Sequence, residues 1–444
     1  MRKLLAIVVC KLAALAGRIV KKGSSKPGQL ALKICPDIIA RMKLPDRVVA
    51  VTGSNGKTST VEMIVRILER AGMNVCWNRE GSNQIEGIAT MLIRNATLTG
   101  RVKSDVIVME SDEQYARHTF RYMRPTHFAI LNLYRDQMTR NGHPEFIFQR
   151  IRDAISPEME LILNADDPLI SRFAENAKTV RWFGIDASAG LPEQPARYND
   201  AVYCPKCGER LTFVHSHRPG FGDYRCDTCG YHRHPCDYAV TAADIADGTL
   251  TINHETALHT NLRVLFNLYN MLAAYAVAAE LGVSPSLIAE VISDYTFRNG
   301  RIRSWNQNGR EIALLTSKHE NSTSYDQSID LAVRRGGDVL FIVDAVSRKY
   351  FTGETSWLWD INFELLRADS IRTIYLAGKY VYDLANRLDY TDIPKNRIRI
   401  LPTLDDIRDV FQGTNDLYVI TCFSDREKFL SRLPGDAAER KENL

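Results

Sequence analysis

The sequence has no unbroken run of the ~18 to 20 apolar residues that a bilayer-spanning helix requires. Its apolar N-terminal stretch, MRKLLAIVVCKLAALAGRIVKK, is interrupted by Lys11 and Arg18, and no small-residue cleavage site follows it. It also has little surplus of charge. With 57 Lys+Arg against 53 Asp+Glu the formal net charge is +4, which excludes the global positive field of a nucleic-acid binder. The spread of paired cysteines of a secreted disulfide scaffold is missing as well. Of nine cysteines, four form two CxxC pairs, while Cys10, Cys35, Cys76, Cys236 and Cys422 lie apart, a usage that fits a reducing cytoplasm. Internal repeats and low-complexity tracts are absent, which argues against a solenoid or a linker-rich chain. What remains is the composition of a soluble enzyme of 444 residues, enough for two to three domains.

Along the chain, residues 4–20 read as an amphipathic helix with Leu4, Leu5, Val8, Leu12, Leu15 and Val20 roughly along one stripe. Two roles stand for it: packing on the domain behind it, which is the preferred reading, or peripheral contact with a membrane surface through Arg2, Lys3, Lys11, Arg18, Lys21 and Lys22. After the GSSKPG stretch at 23–28, β-rich and helical runs alternate. Strands are predicted at 47–52 (RVVAVT), 105–109 (DVIVM), 127–131 (HFAIL) and 160–163 (ELIL), with a helix over 58–71 closed by Gly72. Such alternation implies a mostly parallel sheet covered on both faces. Pro, Cys and turn residues mark an insertion at 199–238, and helical sequence returns at 266–281 and 284–295. A boundary at Asn299-Gly300 precedes further strands at 338–343, 371–376 and 417–421, so 298–444 reads as a second, doubly wound α/β domain after a first domain spanning 1–297.

TGSNGKTST, residues 52–60, lies between a predicted strand and a predicted helix, the context a phosphate loop requires. Gly53 and Gly56 let the backbone amides of Ser54, Asn55 and their neighbours turn toward a triphosphate, and the helix N-terminus at Thr58-Ser59 adds its positive dipole end. Lys57 would neutralise the β and γ phosphates of ATP, and the Thr58 hydroxyl would coordinate Mg²⁺. Val51 stands where the commonest longer form of the loop has its first glycine, so the match is to the shorter GxxGKT form. Glu110 ends the strand DVIVM and is placed to reach that metal, because ligands sit beyond the carboxyl ends of parallel strands. For Asp112 and Glu113 a metal role and a place in the first turn of the next helix stand equally.

YCPKCG and YRCDTCG place Cys204, Cys207, Cys226 and Cys229 as two CxxC knuckles separated by eighteen residues, each with glycine after its second cysteine. Four thiolates close a tetrahedral shell around Zn²⁺ and leave no position for water, so the expected zinc is structural. The nearby His215, His217, His232 and His234, together with Cys236, stand as spare ligands or, in the preferred reading, as surface residues that need no partner. Arg218, Arg225 and Arg233 are too few for a nucleic-acid reader.

Taken in order, GSNGKTST, Glu110, NLYRDQ (132–137), NADDP (164–168), the four-cysteine insertion, FNLYNMLAA from Phe266, Gly300-Arg301, SWLWDINFE (356–364) and AGKYVYDLANRLDY (377–390) resemble the Mur ligase superfamily, and within it the MurT subunits of lipid II isoglutaminyl synthase. The likeness covers nearly the whole chain. It implies an α/β fold with a Mur ligase-like central ATPase domain, an inserted zinc ribbon and a Rossmann-like C-terminal domain. It implies an enzyme of peptidoglycan synthesis and cell wall biogenesis that moves the γ-phosphate of ATP to the α-carboxyl of D-glutamate in the lipid II stem peptide, for amidation by ammonia. Asn267 and Arg301 would border the nucleotide, while Asn270 would either do so or pack within its helix.

The resemblance also implies a partner. No cysteine lies in a Gly-x-Cys-x-Gly elbow, so ammonia would come from a separate GatD-type glutaminase in a heterodimer, whose Cys and His are completed by an aspartate of this chain. Asp360 is the choice for that residue and Glu354 the second, with helix capping as the plain alternative for Asp360. The expected setting is cytoplasmic, with the inner face of the membrane as the alternative position. The chain departs from the family pattern at SKHENSTSYDQ (317–327), where Lys318 still matches, and at Val264, Arg303 and Glu354. Two other readings remain: another Mur-like carboxylate–amine ligase, such as a polyglutamate-type enzyme, or a zinc-ribbon P-loop protein that binds nucleic acid.

Overall fold

The computed structural model describes residues 1–19, 25–191, 202–218, 220–261, 265–296, 302–307, 309–346 and 353–433. The boundary Asn299-Gly300, Arg301 and Val264 therefore lie outside the described residues. The chain forms two compact units, one of residues 1–134 and 144–296, the other of 135–143 and 297–444. The short segment 135–143, read above within the 1–297 domain, groups with the second unit, where it meets residues 318–321 and Asp360. Gln137 donates its amide to the carbonyl of Glu320 at 3.0 Å, and Thr139 donates its amide at 2.9 Å to the Glu320 carboxylate.

In the first unit, β1 (Arg47–Thr52), β2 (Val75–Trp77), β3 (Val106–Glu110), β4 (His127–Ile130), β5 (Glu160–Asn164) and β6 (Thr179–Ile185) run parallel. β7 (Thr212–Arg218) and β8 (Phe221–Arg225) form a separate hairpin. β9 (Tyr238–Asp244) joins β6 in parallel, and β10 (Thr249–Ile252) and β11 (Thr256–His259) extend the edge antiparallel. Among the described residues the order is β11-β10-β9-β6-β5-β4-β1-β3-β2. β1 thus has β3 on one side and β4 on the other, the point at which strand order reverses.

β1 shows why an unbroken apolar run makes this sheet. From Val48 onward every residue is buried, with Val49 and Val51 in one core and Val48 and Ala50 in the other, the period-two division of a strand covered on both faces. The Lys57–Arg70 and Leu265–Glu280 helices cover the first face. The second carries the Lys26–Ile34 and Ile85–Arg94 helices, against which the N-terminal helix Arg2–Ile19 packs.

That N-terminal helix packs on the domain behind it, as expected, but not through its leucine stripe. The face it buries holds Ala6, Ile7 and Cys10, each fully buried, whereas Leu4, Leu5, Leu12 and Leu15 point to solvent. Ile7 fills the contact between Ala6 and Cys10, and the leucine stripe is left on the outside. Val20 lies outside the described residues. No helix among the described residues is long and apolar enough to cross a membrane.

The second unit holds β12 (Ile302–Gln307), β13 (Arg310–Ser317), β14 (Gly337–Ile342), β15 (Ile371–Ala377), β16 (Ile398–Leu401) and β17 (Leu417–Cys422). Their order is β12-β13-β17-β14-β15-β16, parallel except for the β12–β13 pair. Arg303 lies on β12 opposite Leu314.

Candidate functional site

The loop after β1 turns where strand order reverses, the place at which open α/β sheets bind ligands. Val51 is opposite Glu110 on β3 and Thr52 is opposite Ile130 on β4, so residues leaving all three strands meet the loop. Gly53 (φ +146°) and Gly56 (φ +88°) both take backbone conformations that side chains resist. A Cβ on Gly56 would stand 2.0 Å from Oδ1 of Asn270. Asn270 therefore packs on the loop, and Asn267, one turn earlier on the same helix, is half-buried.

Asn132 holds the loop from the β4 side: its Oδ1 accepts the Asn55 amide at 2.8 Å, and its Nδ2 donates to the Asn55 carbonyl at 3.0 Å. Ser54 Oγ accepts the Tyr134 amide at 3.1 Å. Gly56 precedes the Lys57–Arg70 helix, whose first residues are Lys57, Thr58 and Ser59. Thr58 Oγ1 donates to Oε2 of Glu110 at 2.7 Å, and Oε1 of Glu110 accepts from Nδ2 of Asn83 at 3.0 Å. Asn78 fixes the backbone of Glu110 through two 2.9 Å bonds. Lys57 lies over the loop, its Nζ donating to the Gly53 carbonyl and, at 2.9 Å, to Oε2 of Glu113.

An ammonium group, a hydroxyl and a carboxylate are thus gathered at a helix N-terminus, the donor set that would hold a nucleoside triphosphate and a divalent ion. Asn132 opens the NLYRDQ segment noted in the sequence, whereas Asn78 and Asn83 carry no local sequence signature of these contacts. The pairing with Lys57 gives Glu113 a place that its position in the chain left open. Arg301 lies outside the described residues.

Sγ of Cys204 and Cys229 are 3.6 Å apart and those of Cys207 and Cys226 3.5 Å, and all four lie within 4.8 Å of one another. A tetrahedral zinc–thiolate shell sets its sulfurs about 3.8 Å apart, so the four cysteines could hold such an ion. Each knuckle turns tightly: Gly208 N donates to Cys204 O at 2.9 Å, and Gly230 N to Cys226 O at 3.0 Å.

The surroundings correct the surface reading for His217 and His234, while His232 is exposed. His217 is buried with Nε2 3.0 Å from the Ile185 carbonyl, and His234 stacks on Trp182 with ring centroids 4.2 Å apart. Burial pushes the pKa of both histidines down. Cys236 lies by Arg233, whose Nη2 is 3.1 Å from its sulfur, and not in the four-sulfur cluster. The local arginines are also engaged: Arg233 with Asp166 at 2.7 Å, Arg225 with Asp227 at 2.9 Å, and Arg218 over the rings of Tyr134, Phe221 and Phe266.

The NADDP segment ties this insertion to the sheet. Asp166, fully buried, accepts from Arg233 Nε at 2.7 Å, the Ile185 amide at 2.8 Å and the Tyr269 hydroxyl at 2.8 Å. Asp167 accepts the Leu133 amide at 2.8 Å and caps the next helical turn through Leu169 and Ile170. Burial raises its pKa from 3.8 to about 6.

In the second unit Asp360 ends the short turn Ser356–Asp360. Its Oδ1 lies 3.3 Å from Nη1 of Arg135, and the side chain is half-buried. Glu354 folds onto its own turn, accepting the Ser356 amide at 2.7 Å, and hydrogen bonds from Ser356 hold its pKa low. Lys318 pairs with Asp136, which also accepts from Asn321 Nδ2 at 2.7 Å.

The Mur ligase middle domain model matches residues 51–220, and the MurT ligase C-terminal model matches 319–425. The chain is 32% identical over 397 residues to the lipid II isoglutaminyl synthase (glutamine-hydrolyzing) subunit MurT of Staphylococcus aureus (strain COL), covering 88% of this chain and 89% of that protein. It is 30% identical over 434 residues to the subunit of the same name from Streptococcus pneumoniae, covering 95% and 94%. Among solved structures, the pseudomurein peptide ligase type C of Methanothermus fervidus superposes with a TM-score of 0.69 at 19% identity, covering 91% of this chain and 81% of that one. The MurF ligase of Thermotoga maritima in complex with ADP gives 0.59 at 14% identity, covering 94% and 85%. These last two show the α/β Mur ligase fold, and the sequence relatives show the narrower kinship: the chain belongs to the MurT family of ATP-dependent Mur-type ligases.

Proposed function

We propose that this chain is the synthetase subunit of a glutamine-dependent ligase that amidates the α-carboxyl of D-glutamate in the stem peptide of lipid II. The observation that carries the reading is the convergence of Lys57, Thr58 and Glu110 on one phosphate loop. A carboxylate oxygen of the substrate attacks the γ-phosphorus of ATP and ADP leaves; ammonia then attacks the acyl carbon, inorganic phosphate leaves, and the amide remains. Lys57 and the loop amides stabilise charge on the transferring phosphoryl group. Thr58 and Glu110 would hold Mg²⁺, which screens the phosphate oxygens when bound. Asn267, and Arg301 by resemblance, would border the nucleotide. The four thiolates would hold a structural Zn²⁺.

The ammonia source is proposed to be a separate GatD-type glutaminase, in keeping with the word subunit in the names of the sequence relatives. The cysteines of this chain support that division. Four cluster in the insertion, and burial raises the pKa of the other five, with Cys10 at about 11 and Cys76 and Cys236 at about 12, the reverse of an activated nucleophile. Asp360 would orient the partner's histidine, with Glu354 as second choice.

The test is ADP release by the complex with lipid II and glutamine. It should require both, and Asp360→Asn should lower glutamine hydrolysis while leaving ATP binding intact. Release that instead requires an amino acid would favour another Mur-like carboxylate–amine ligase.

A further inference from the structure

We propose that the outer ridge of the N-terminal helix is a docking surface for an anionic phospholipid bilayer. Along Arg2–Ile19, Leu4, Leu5, Val8, Leu12 and Leu15 fall within an arc of about 100° at helical periodicity. The four leucines are 51, 55, 63 and 59% exposed, while Ala6, Ile7 and Cys10 on the opposite arc are fully buried against the protein. A helix at a protein surface ordinarily turns its large apolar residues inward. Here Ala6, Ile7 and Cys10 are inside and the four leucines form a ridge that nothing in the chain covers among the described residues.

Charge selects the occupant. The first 36 residues hold eight basic residues and no acidic one, although the whole chain is nearly neutral, so the remainder is net acidic. Arg2 is exposed and Lys11 half-buried, flanking the leucine arc on its two sides. A second copy of the chain would bring the same positive charge against this face, which disfavours self-association. A nucleic acid would satisfy the charge but not the leucines. An apolar ridge bordered by basic residues, on a segment that itself holds no acidic residue, suits acyl chains below and anionic headgroups beside them, with the helix lying in the plane of the interface. Its inner face is fastened to the Lys26–Ile34 and Ile85–Arg94 helices, so binding would hold the first unit itself at the surface.

This inference goes beyond the proposed reaction and does not rest on it, since lipid binding is read without turnover. The experiment is sedimentation of the full chain with vesicles of mixed phosphatidylglycerol and phosphatidylcholine, and with phosphatidylcholine alone. The chain should sediment with the first and not the second. Leu5→Ser/Leu12→Ser/Leu15→Ser should weaken the binding at least about tenfold, with an unchanged melting temperature because these side chains are exposed. Arg2→Gln/Lys11→Gln should weaken it less and reduce its salt dependence. Equal sedimentation of the wild type and the leucine variant would overturn the proposal, as would equal binding to both vesicle types. Leucine-dependent self-association in ultracentrifugation without vesicle binding would assign the ridge to a second copy instead.

Discussion

Nζ of Lys57 lies 2.9 Å from Oε2 of Glu113, and both side chains are buried. The lysine of the phosphate loop is thus held in the fold by a carboxylate from the segment after β3. Removing one member of a buried pair leaves the other charge uncompensated, at a cost of about 3–5 kcal/mol. Lys57→Ala should therefore lower stability by about that amount and ATP turnover by at least about a hundredfold. Lys57→Met/Glu113→Gln should restore most of the stability and none of the turnover. Denaturant unfolding and ADP release on the same preparations check both, and recovery of turnover in the double variant would remove Lys57 from phosphate binding.

Gly56 couples the loop to the Leu265–Glu280 helix. Its φ of +88° and the 2.0 Å approach of Asn270 to a built Cβ both oppose a side chain there. Gly56→Ala should cost about 1–3 kcal/mol through the backbone conformation alone and should weaken nucleotide binding. Gly56→Ala/Asn270→Ala relieves the contact but not the φ, so it should recover only part of the loss. Nucleotide titration with thermal melting separates the two effects.

Metal analysis of the purified chain should find about one zinc per chain. Tyr224 donates to Ser171 Oγ at 2.6 Å and Tyr231 to the Pro168 carbonyl at 2.5 Å, so the cysteine insertion is tied to the NADDP segment. Chelation or Cys226→Ser should therefore lower the melting temperature of the first unit as well as release the metal. Metal-free protein with an unchanged melting curve would contradict the zinc assignment.

Asp167 makes a pH prediction. Its pKa is raised from 3.8 to about 6 by burial, so the folded state keeps a proton that the unfolded chain has released. The stability it contributes is fully present below the unfolded value and is lost as pH rises through the folded one, about 3 kcal/mol in all. Asp167→Asn lacks this loss, though it weakens the cap on Leu169 and Ile170. The stability of Asp167→Asn relative to wild type should therefore increase from pH 3.8 to about 6. Parallel melting curves against pH would contradict the burial argument.

Much of this was legible in the residues. DVIVM reads as a strand over 105–109 and β3 spans Val106–Glu110, because an apolar run bounded by polar residues has few other places in an α/β chain. The phosphate loop and the cysteine knuckles were legible for a similar reason, since each is local and carries its glycines with it. The contacts that fix the loop were not. Asn78, Asn83, Asn132 and Glu113 meet it through strand order, which no local pattern encodes. The N-terminal helix shows another limit: periodicity identified the leucine stripe but not which way it faced, and Ala6, Ile7 and Cys10 took the inside. The grouping of 135–143 with residues 318–321 is of the same non-local kind.

The most direct test of the central claim follows the oxygen of the substrate. With an oxygen-isotope label in the carboxyl group of the lipid II D-glutamate, carboxylate attack on ATP followed by amidation must transfer a labelled oxygen to the phosphate released, and Lys57→Ala must abolish that transfer. Amide formed with unlabelled phosphate would contradict carboxylate activation at this loop.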